Sequence, residues 1–469
     1  MRGRPAAPAD ATATTDSSPV PGSPTVLPPV KRRAVMPAGF KAGGLAAGIK
    51  ASGRPDLAVA VTTLGPAAAA AVFTPNAFAA APVRLSRRHL AASSGDPRGG
   101  YGWAEAIIST SGSANAATGE AGDDDQREIA RLLADATGAA TQLTLHLSTG
   151  IIGTRLPLDK VAAGLERLVP ALTATNAGLA EMAEALRTTD SVTKVATTTI
   201  QLPDADGEAV TVTVSGIAKG VGMIHPNMAT MLSVILTDTA ATPSTLWGLL
   251  RPAAARTWDQ LSVDGDTSTN DTVLVLASGA STAAPAETGS PEAAVLGAAI
   301  EAVARDLARQ QAADGEGAAT LITADVTGAT DDADARAVAR AVISSSLVKA
   351  AAHGRDPNWG RIAGAAGNAR LADAAVLEAA GLSEAEATRR GGTPATLDPA
   401  RLRIAIAGHA VFDGSAGGPL AFDRKAARRS MTAKEVVISL DLGLGEGRGE
   451  AFGCDLTEQY VIENSEYTT

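Results

Sequence analysis

The sequence predicts a mixed α/β or α+β fold, on three observations. Helical periodicity and short apolar runs alternate from residue 34 to the C-terminus. Of the 469 residues 45% are hydrophobic, enough to bury one large core or two. Several strand-like runs also follow one another with no helix between them, which argues against a purely doubly wound parallel sheet.

The elements follow in chain order. Residues 1–33 are rich in Pro, Ala, Ser and Thr, lack the apolar stretch of a signal peptide, and are expected to form a disordered extension. A strand is expected at 106–109, then helices at 126–136, 160–169 and 177–186. The run VTVTV within a strand at 209–214 alternates as a half-buried antiparallel strand should. Residues 231–236 form a continuous apolar run and read as a buried strand. Helices at 245–260, 292–311 and 333–352 and strands at 272–277, 321–326, 403–407 and 435–440 complete the pattern, with 381–399 as a surface connection. The alternating Gly443, Gly445, Gly447 and Gly449 miss the G-x-G-x-x-G spacing of a dinucleotide loop and predict a hairpin or loop turn.

Composition excludes several function classes. With 40 basic and 50 acidic residues the formal charge is −10, and no dense Lys/Arg patch offers a nucleic-acid surface. A single cysteine, Cys454, precludes an intrachain disulfide or a multi-thiolate metal centre and suits the cytoplasm. No apolar run reaches the roughly 18 residues of a membrane-spanning helix. The five histidines share no metal-ligand spacing and are expected to be structural. The loop DGDTSTND (264–271) spaces oxygens like a calcium loop but has Thr269 and Val275 where an EF-hand needs Gly and Glu, so it reads as a hydrogen-bonded turn bracing a site.

The stretch GMIHPNMATMLSVILTD (222–238) sets the small Ala229–Thr230 junction between turn-formers and the buried strand. One reading is a tight strand-to-strand turn. The other is chemical: the Thr230 hydroxyl attacks the Ala229 carbonyl, converting amide to ester, and hydrolysis leaves Thr230 as a new N-terminus. Its α-amine, with a reference pKa of about 7.7–8.0, can then serve as the base that activates its own hydroxyl.

The block KGVGMIHPNMATML (219–232) resembles the signature of the ornithine acetyltransferase family, self-processing enzymes of arginine biosynthesis also called glutamate N-acetyltransferases. GFKAGGLAAGIKASGRPDLAV (39–59), NAFAAAPV (76–83), STGIIG (148–153), TTDSVTK (188–194), SVDGDTSTNDT (262–272), DGEGAAT (314–320), GRDPNWGRI (354–362) and CDLTEQYVIENSEYTT (454–469) resemble further family blocks, in family order. Departures are Val192-Thr193 in TTDSVTK, and Ser113 and Ala117 where the family usually has Asn and Cys.

The resemblance implies a layered α-β-β-α sandwich with two lobes, and cleavage between Ala229 and Thr230 into an α piece (34–229, after the extension) and a β piece (230–469). It implies Thr230 as nucleophile, Thr149 and Gly150 as the oxyanion hole, and substrate contacts from Thr188 (or the adjacent Thr189), Lys219, Thr230, Glu316, Asn464 and Thr469. The expected reaction moves an acetyl group from N-acetylornithine to glutamate through an acetyl-threonine, with no cofactor and no metal, in particles of α2β2 or larger. Some family members also take acetyl from acetyl-CoA, and others serve secondary metabolism of the clavulanic-acid type. A self-processing aminopeptidase of related fold and an uncut binding subunit are the alternatives.

Overall fold

In a computed structural model, which describes residues 26–225 and 231–465, two β-sheets stack face to face. One has the order β1-β2-β5-β6, from β1 (Phe40–Leu45), β2 (Leu57–Thr62), β5 (Ala106–Ser113) and β6 (Thr144–Ile151). The other has the order β4-β3-β11-β9-β8-β7, from β3 (Ala67–Phe73), β4 (Tyr101–Ala104), β7 (Lys194–Pro203), β8 (Ala209–Lys219), β9 (Leu232–Thr237) and β11 (Thr272–Ala277).

The two-residue period of strands sorts their side chains into layers. Ala58, Ala60, Ile107, Leu145, Ala69, Ala71, Leu232, Val234 and Leu274 meet between the sheets. On the outer face of the four-stranded sheet, Leu57, Val59 and Ile108 pack on Ile129 and Leu133 of α2 (Gly119–Thr137) and on Val161 and Leu165 of α3 (Leu158–Leu168). On the outer face of the six-stranded sheet, Val72, Val214, Ile235 and Val275 pack on α5 (Pro243–Arg256) and α6 (Pro291–Ala313). The result is the expected α-β-β-α order. α1 (Ala81–Ser94) closes the side at β4 and β6, and α4 (Asn176–Leu186) closes the side at β1 and β8. Each fully buried Leu, Ile or Val in these layers contributes roughly 1.5–3 kcal/mol.

The second lobe is a seven-stranded sheet of order β10-β17-β12-β16-β13-β14-β15. It comprises β10 (Leu261–Ser262), β12 (Leu321–Ala329), β13 (Arg403–Ile406), β14 (His409–Asp413), β15 (Gly418–Pro419), β16 (Glu435–Asp441) and β17 (Gly447–Cys454). Its core joins α7 (Asp332–Ser344), α8 (Ser346–His353) and α9 (Trp359–Gly367) to β12 and β16. The short helices α10 (Ala374–Ala379), α11 (Glu384–Arg390) and α12 (Arg424–Ser430) lie in the connections, and α13 (Glu458–Ser465) follows β17.

Several expectations need correction. The helix expected at 333–352 is two, because Ser345 leaves helical geometry and its hydroxyl caps α8 by accepting from the Val348 N–H. The one expected at 245–260 stops at Arg256 and continues as a 3-10 turn at Trp258–Gln260. The connection at 381–399 contains α11. Of the hairpin or loop turn expected after β16, the glycine-rich stretch is the loop turn, since β16 and β17 lie on opposite sides of β12. The expected disordered segment 1–33 reaches too far: Lys31 pairs with Thr197 of β7, the Thr198 hydroxyl donates to Pro29 O at 2.8 Å, and Arg32 bonds Asp306. The remainder of that segment, 1–25, lies outside the described residues.

The six-stranded sheet draws β3, β4, β7 and β8 from before residue 230 and β9 and β11 from after it. The stretches 34–229 and 230–469 are therefore not separate domains. β9 inserts between β8 and β11, and every one of its residues is buried.

Candidate active site

The strand ends of the sandwich converge on a cavity of about 290 Å³. Thr149, Gly150, Thr188, Lys219, Glu316 and Asn464, which are scattered through the chain, all line it, and so does Thr189. Ala229, Thr230 and Thr469 lie outside the described residues.

Thr149 and Gly150 sit near the end of β6, paired in parallel with β5. Gly150 has φ +128°, and an added Cβ would stand 2.4 Å from the Gly112 carbonyl carbon, so both conformation and close approach require glycine here. The Thr149 hydroxyl accepts a 3.1 Å hydrogen bond from Lys219 Nζ at the end of β8. With its oxygen engaged by an ammonium, that hydroxyl has its own proton left to donate.

Lys219 is fully buried. Burial pushes its pKa down, the Asp190 carboxylate opposes this, and Lys194 adds to the lowering. Asp190 feels the same burial in the opposite sense, but the charges of Lys219 and Lys194, the Lys194 hydrogen bond and the Gly220 N–H together hold it at about 2. The contacts are close: Lys194 Nζ lies 2.6 Å from both Asp190 Oδ1 and Asp314 Oδ2, and the Gly220 N–H donates to Asp190 at 2.8 Å. This network ties the 188–194 loop, the end of β8 and the segment after α6 into one wall.

Glu316 stands on that wall. Its Oε1 accepts from the Thr189 hydroxyl at 2.8 Å and its Oε2 from Asn464 Nδ2 of α13 at 3.0 Å. Gly222 faces it, and an added Cβ would lie 2.1 Å from Oε2. The C-terminal segment thus folds back into the cleft as far as Asn464.

The 264–271 loop braces the floor, as expected. Asp264 Oδ1 accepts from the Ile224 N–H at 2.9 Å, and its other oxygen accepts from the Met223 N–H. Met223 itself has φ +54°, a strained conformation for a residue with a long side chain, of a kind that costs on the order of 1–3 kcal/mol. Asn270 Nδ2 donates to Ala114 O at 2.7 Å and Ser148 O at 2.9 Å, fixing the end of β6 that holds Thr149 and Gly150. Asp271 is fully buried, and desolvation pushes its carboxyl well above the usual range. Its Oδ1 accepts from the Met231 N–H at 2.9 Å, where the described chain resumes. Among the described residues no partner meets its Oδ2.

Sequence reasoning missed Asp190, Lys194 and Asp271 as individuals, although TTDSVTK and SVDGDTSTNDT contain them, and marked Asn270 only as one of the spaced oxygens of its loop. Asp190 and Lys194 pair with each other four residues apart, but their further partners Gly220 and Asp314, and those of Asp271 and Asn270, are distant in sequence, so no local spacing marked them as a buried network. The histidines play the structural parts expected. His146, for one, is buried between Gln126 Nε2 at 3.0 Å and Thr144 Oγ1 at 2.9 Å, and none of the five lines the cavity. Among the described residues no three His, Cys, Asp or Glu side chains converge as a metal ion would need, and no helix is long and apolar enough to cross a membrane.

Known proteins resemble this chain over most of its length. The arginine biosynthesis bifunctional protein ArgJ of Thermosynechococcus vestitus is 44% identical over 434 residues, covering 92% of this chain and 96% of that protein. That of Thermus thermophilus is 42% identical, covering 92% and 99%. A crystal structure of the ornithine acetyltransferase of Mycobacterium tuberculosis complexed with ornithine, 37% identical, matches 42% of this chain and 97% of that one, with a TM-score of 0.36. The ArgJ family model matches residues 41–469. This chain belongs to the ArgJ family.

Proposed function

We propose that the protein is a self-cleaving glutamate N-acetyltransferase. The observation that carries this reading is the convergence of Thr149, Gly150, Lys219, Glu316 and Asn464 on one cavity, whose floor segment also holds the Met231 N–H. Cleavage between Ala229 and Thr230 yields an α piece ending at Ala229 and a β piece, 230–469, starting with the nucleophile. The shared sheet keeps the two pieces together.

The Thr230 hydroxyl, losing its proton to the Thr230 α-amine, attacks the acetyl carbonyl of N-acetylornithine. The Thr149 hydroxyl and the Gly150 N–H carry the charge that develops on the carbonyl oxygen, and a single such donor is worth roughly 3 kcal/mol. The C–N bond breaks, the proton passes from the α-amine to the leaving nitrogen, and ornithine departs. Glutamate's amine then attacks the acetyl-threonine ester, releasing N-acetylglutamate and restoring the hydroxyl. Lys219, Glu316, Asn464, Thr188 or Thr189, and Thr469 hold the charged ends of the amino acids. Acetyl-CoA is the second acetyl donor to test, a reading in keeping with the name bifunctional protein that the relatives carry. The enzyme works without a cofactor in the cytoplasm, as an assembly of α and β pieces of α2β2 or larger.

The test is the denatured intact mass of the purified protein before and after N-acetylornithine is added without acceptor. Two fragments, with one acetyl group gained on the piece starting at Thr230, are expected. Thr230→Ala should remain a single chain and gain nothing. Normal cleavage in that variant would sink the reading, and ornithine release independent of glutamate would favour the aminopeptidase alternative.

A further inference from the structure

Lys219 is buried, and among the described residues its Nζ has one hydrogen-bond partner, the Thr149 hydroxyl at 3.1 Å, and no ion pair. The direction of that bond depends on the charge of the lysine. An ammonium has only protons to give, so the Thr149 oxygen accepts and the hydroxyl proton is left for the cleft. A neutral amine carries a lone pair, so it draws the Thr149 proton to itself and away from the cleft. Desolvation favours the neutral form.

Five charged or titratable groups face Lys219 from the elements around it. Lys194 at the start of β7 and Lys50 between β1 and β2 are cations, and both work against a second ammonium. Of the carboxylates, Glu316 is bound by both oxygens to Thr189 and Asn464, and Asp271 is pushed by burial toward its neutral acid. Asp190 opposes the desolvation of Lys219 more than either does. Its position explains why. It accepts the N–H of Gly220, the next residue after Lys219, at 2.8 Å, which pins the carboxylate beside the end of β8. Lys194 Nζ is 2.6 Å from it and equally close to Asp314, so the charge of Lys194 is shared by two carboxylates and the pair retains a negative charge toward Lys219. Asp190 itself does not line the cavity.

We infer that, with Thr149 in the oxyanion role proposed for it, Asp190 is a positioning residue of the reaction: its carboxylate keeps Lys219 an ammonium, which keeps the Thr149 proton directed at the developing oxyanion. Asp190 acts through two other side chains and touches no substrate.

The test is the rate at which saturating N-acetylornithine, added without acceptor, acetylates the piece starting at Thr230. Quenched intact mass reads it on the cleaved fraction over roughly pH 6–10, in the wild type, Asp190→Asn, Thr149→Ala and the double variant. Asp190→Asn should fall behind the wild type by up to about a hundredfold as pH rises, the loss of one oxyanion donor, and recover toward it as pH falls and Lys219 regains its proton. In the Thr149→Ala background the same substitution should give a ratio that does not change with pH, because no hydroxyl is left to turn. A weaker hold of Lys219 on the substrate would act in both backgrounds alike. If Asp190→Asn does not fold, Asp190→Asn/Lys194→Gln, which removes one charge of each sign, should show the same pH-dependent fall by a smaller factor. A ratio flat in pH with Thr149 present, or one that falls equally without it, would overturn the inference. A wild type that is never acetylated, or Thr149→Ala running at the wild-type rate, would instead strike the cleft reading, and the role of Asp190 with it.

Discussion

Glu316 is held by both of its oxygens, one on Thr189 and one on Asn464, and it can be so held only because Gly222 leaves the space free. A methyl group at 222 forces the carboxylate off both partners. Gly222→Ala should therefore raise the KM for the amino-acid substrate by about tenfold, with a smaller change in kcat, as steady-state kinetics would reveal. Asp190 makes a prediction about acid stability. Its folded pKa is depressed from 3.8 to about 2 by the two lysines, so it loses its proton more readily in the native state. The stability this confers is fully present above about pH 4 and is lost as pH falls toward 2, a loss of about 2 kcal/mol. Urea titrations at stepped pH should show that slope in the wild type, and its absence in Asp190→Asn, which also removes a carboxylate beside the buried Lys219 and leaves Lys194 with Asp314 alone.

At the scale of elements, the parallel pair β5 and β6 does more than fill a layer. It brings Gly112 and Gly150 into backbone contact, and the pairing slips its register at Gly112–Ser113, where the loop turns toward the cleft. Gly150→Ala must push the two strands apart at that point. Acetyl transfer should fall by about a hundredfold or more if Thr149 and Gly150 hold the oxyanion as proposed, and the thermal midpoint should fall as well, because the Cβ meets backbone and the φ of +128° is strained for alanine. The sequence marked β9 and β8 well, because a continuous apolar run and a strict alternation are strong signals. It did not mark β3, whose five consecutive alanines carry little strand preference, nor β7, where KVATTTIQLP mixes small and polar residues. Alanine serves in β3 because it is buried on both faces, between a sheet and a helix layer, where small side chains let those layers approach.

For the whole molecule, the six-stranded sheet is the unit that would survive cleavage, since β9 lies hydrogen-bonded between β8 and β11 and its side chains fill both cores. Residues 29–33 add a short edge to the same sheet at β7, with Arg32 reaching Asp306 of α6. Removing residues 26–33 in addition to 1–25 should lower the thermal midpoint by roughly 1 °C relative to removing 1–25 alone, the equivalent of about 1 kcal/mol, as differential scanning calorimetry would measure. An unchanged midpoint would mean that the edge contributes no net stability.

The sequence by itself determined the class of fold, the strand that carries the chain away from Thr230, and the blocks from which a site could be built. Those features are local: periodicity, turn residues and short blocks are legible without knowing what lies across the sheet. It also supplied Thr149, Gly150, Lys219, Glu316 and Asn464, through resemblance in blocks up to about three hundred residues apart. Only the tertiary structure decided that these residues share a cavity and that Asp190 and Lys194 are the buried charges behind it. Each of those facts depends on which groups meet after the chain is packed, because burial and pairing, unlike periodicity, belong to the surroundings of a residue and not to its place in the chain.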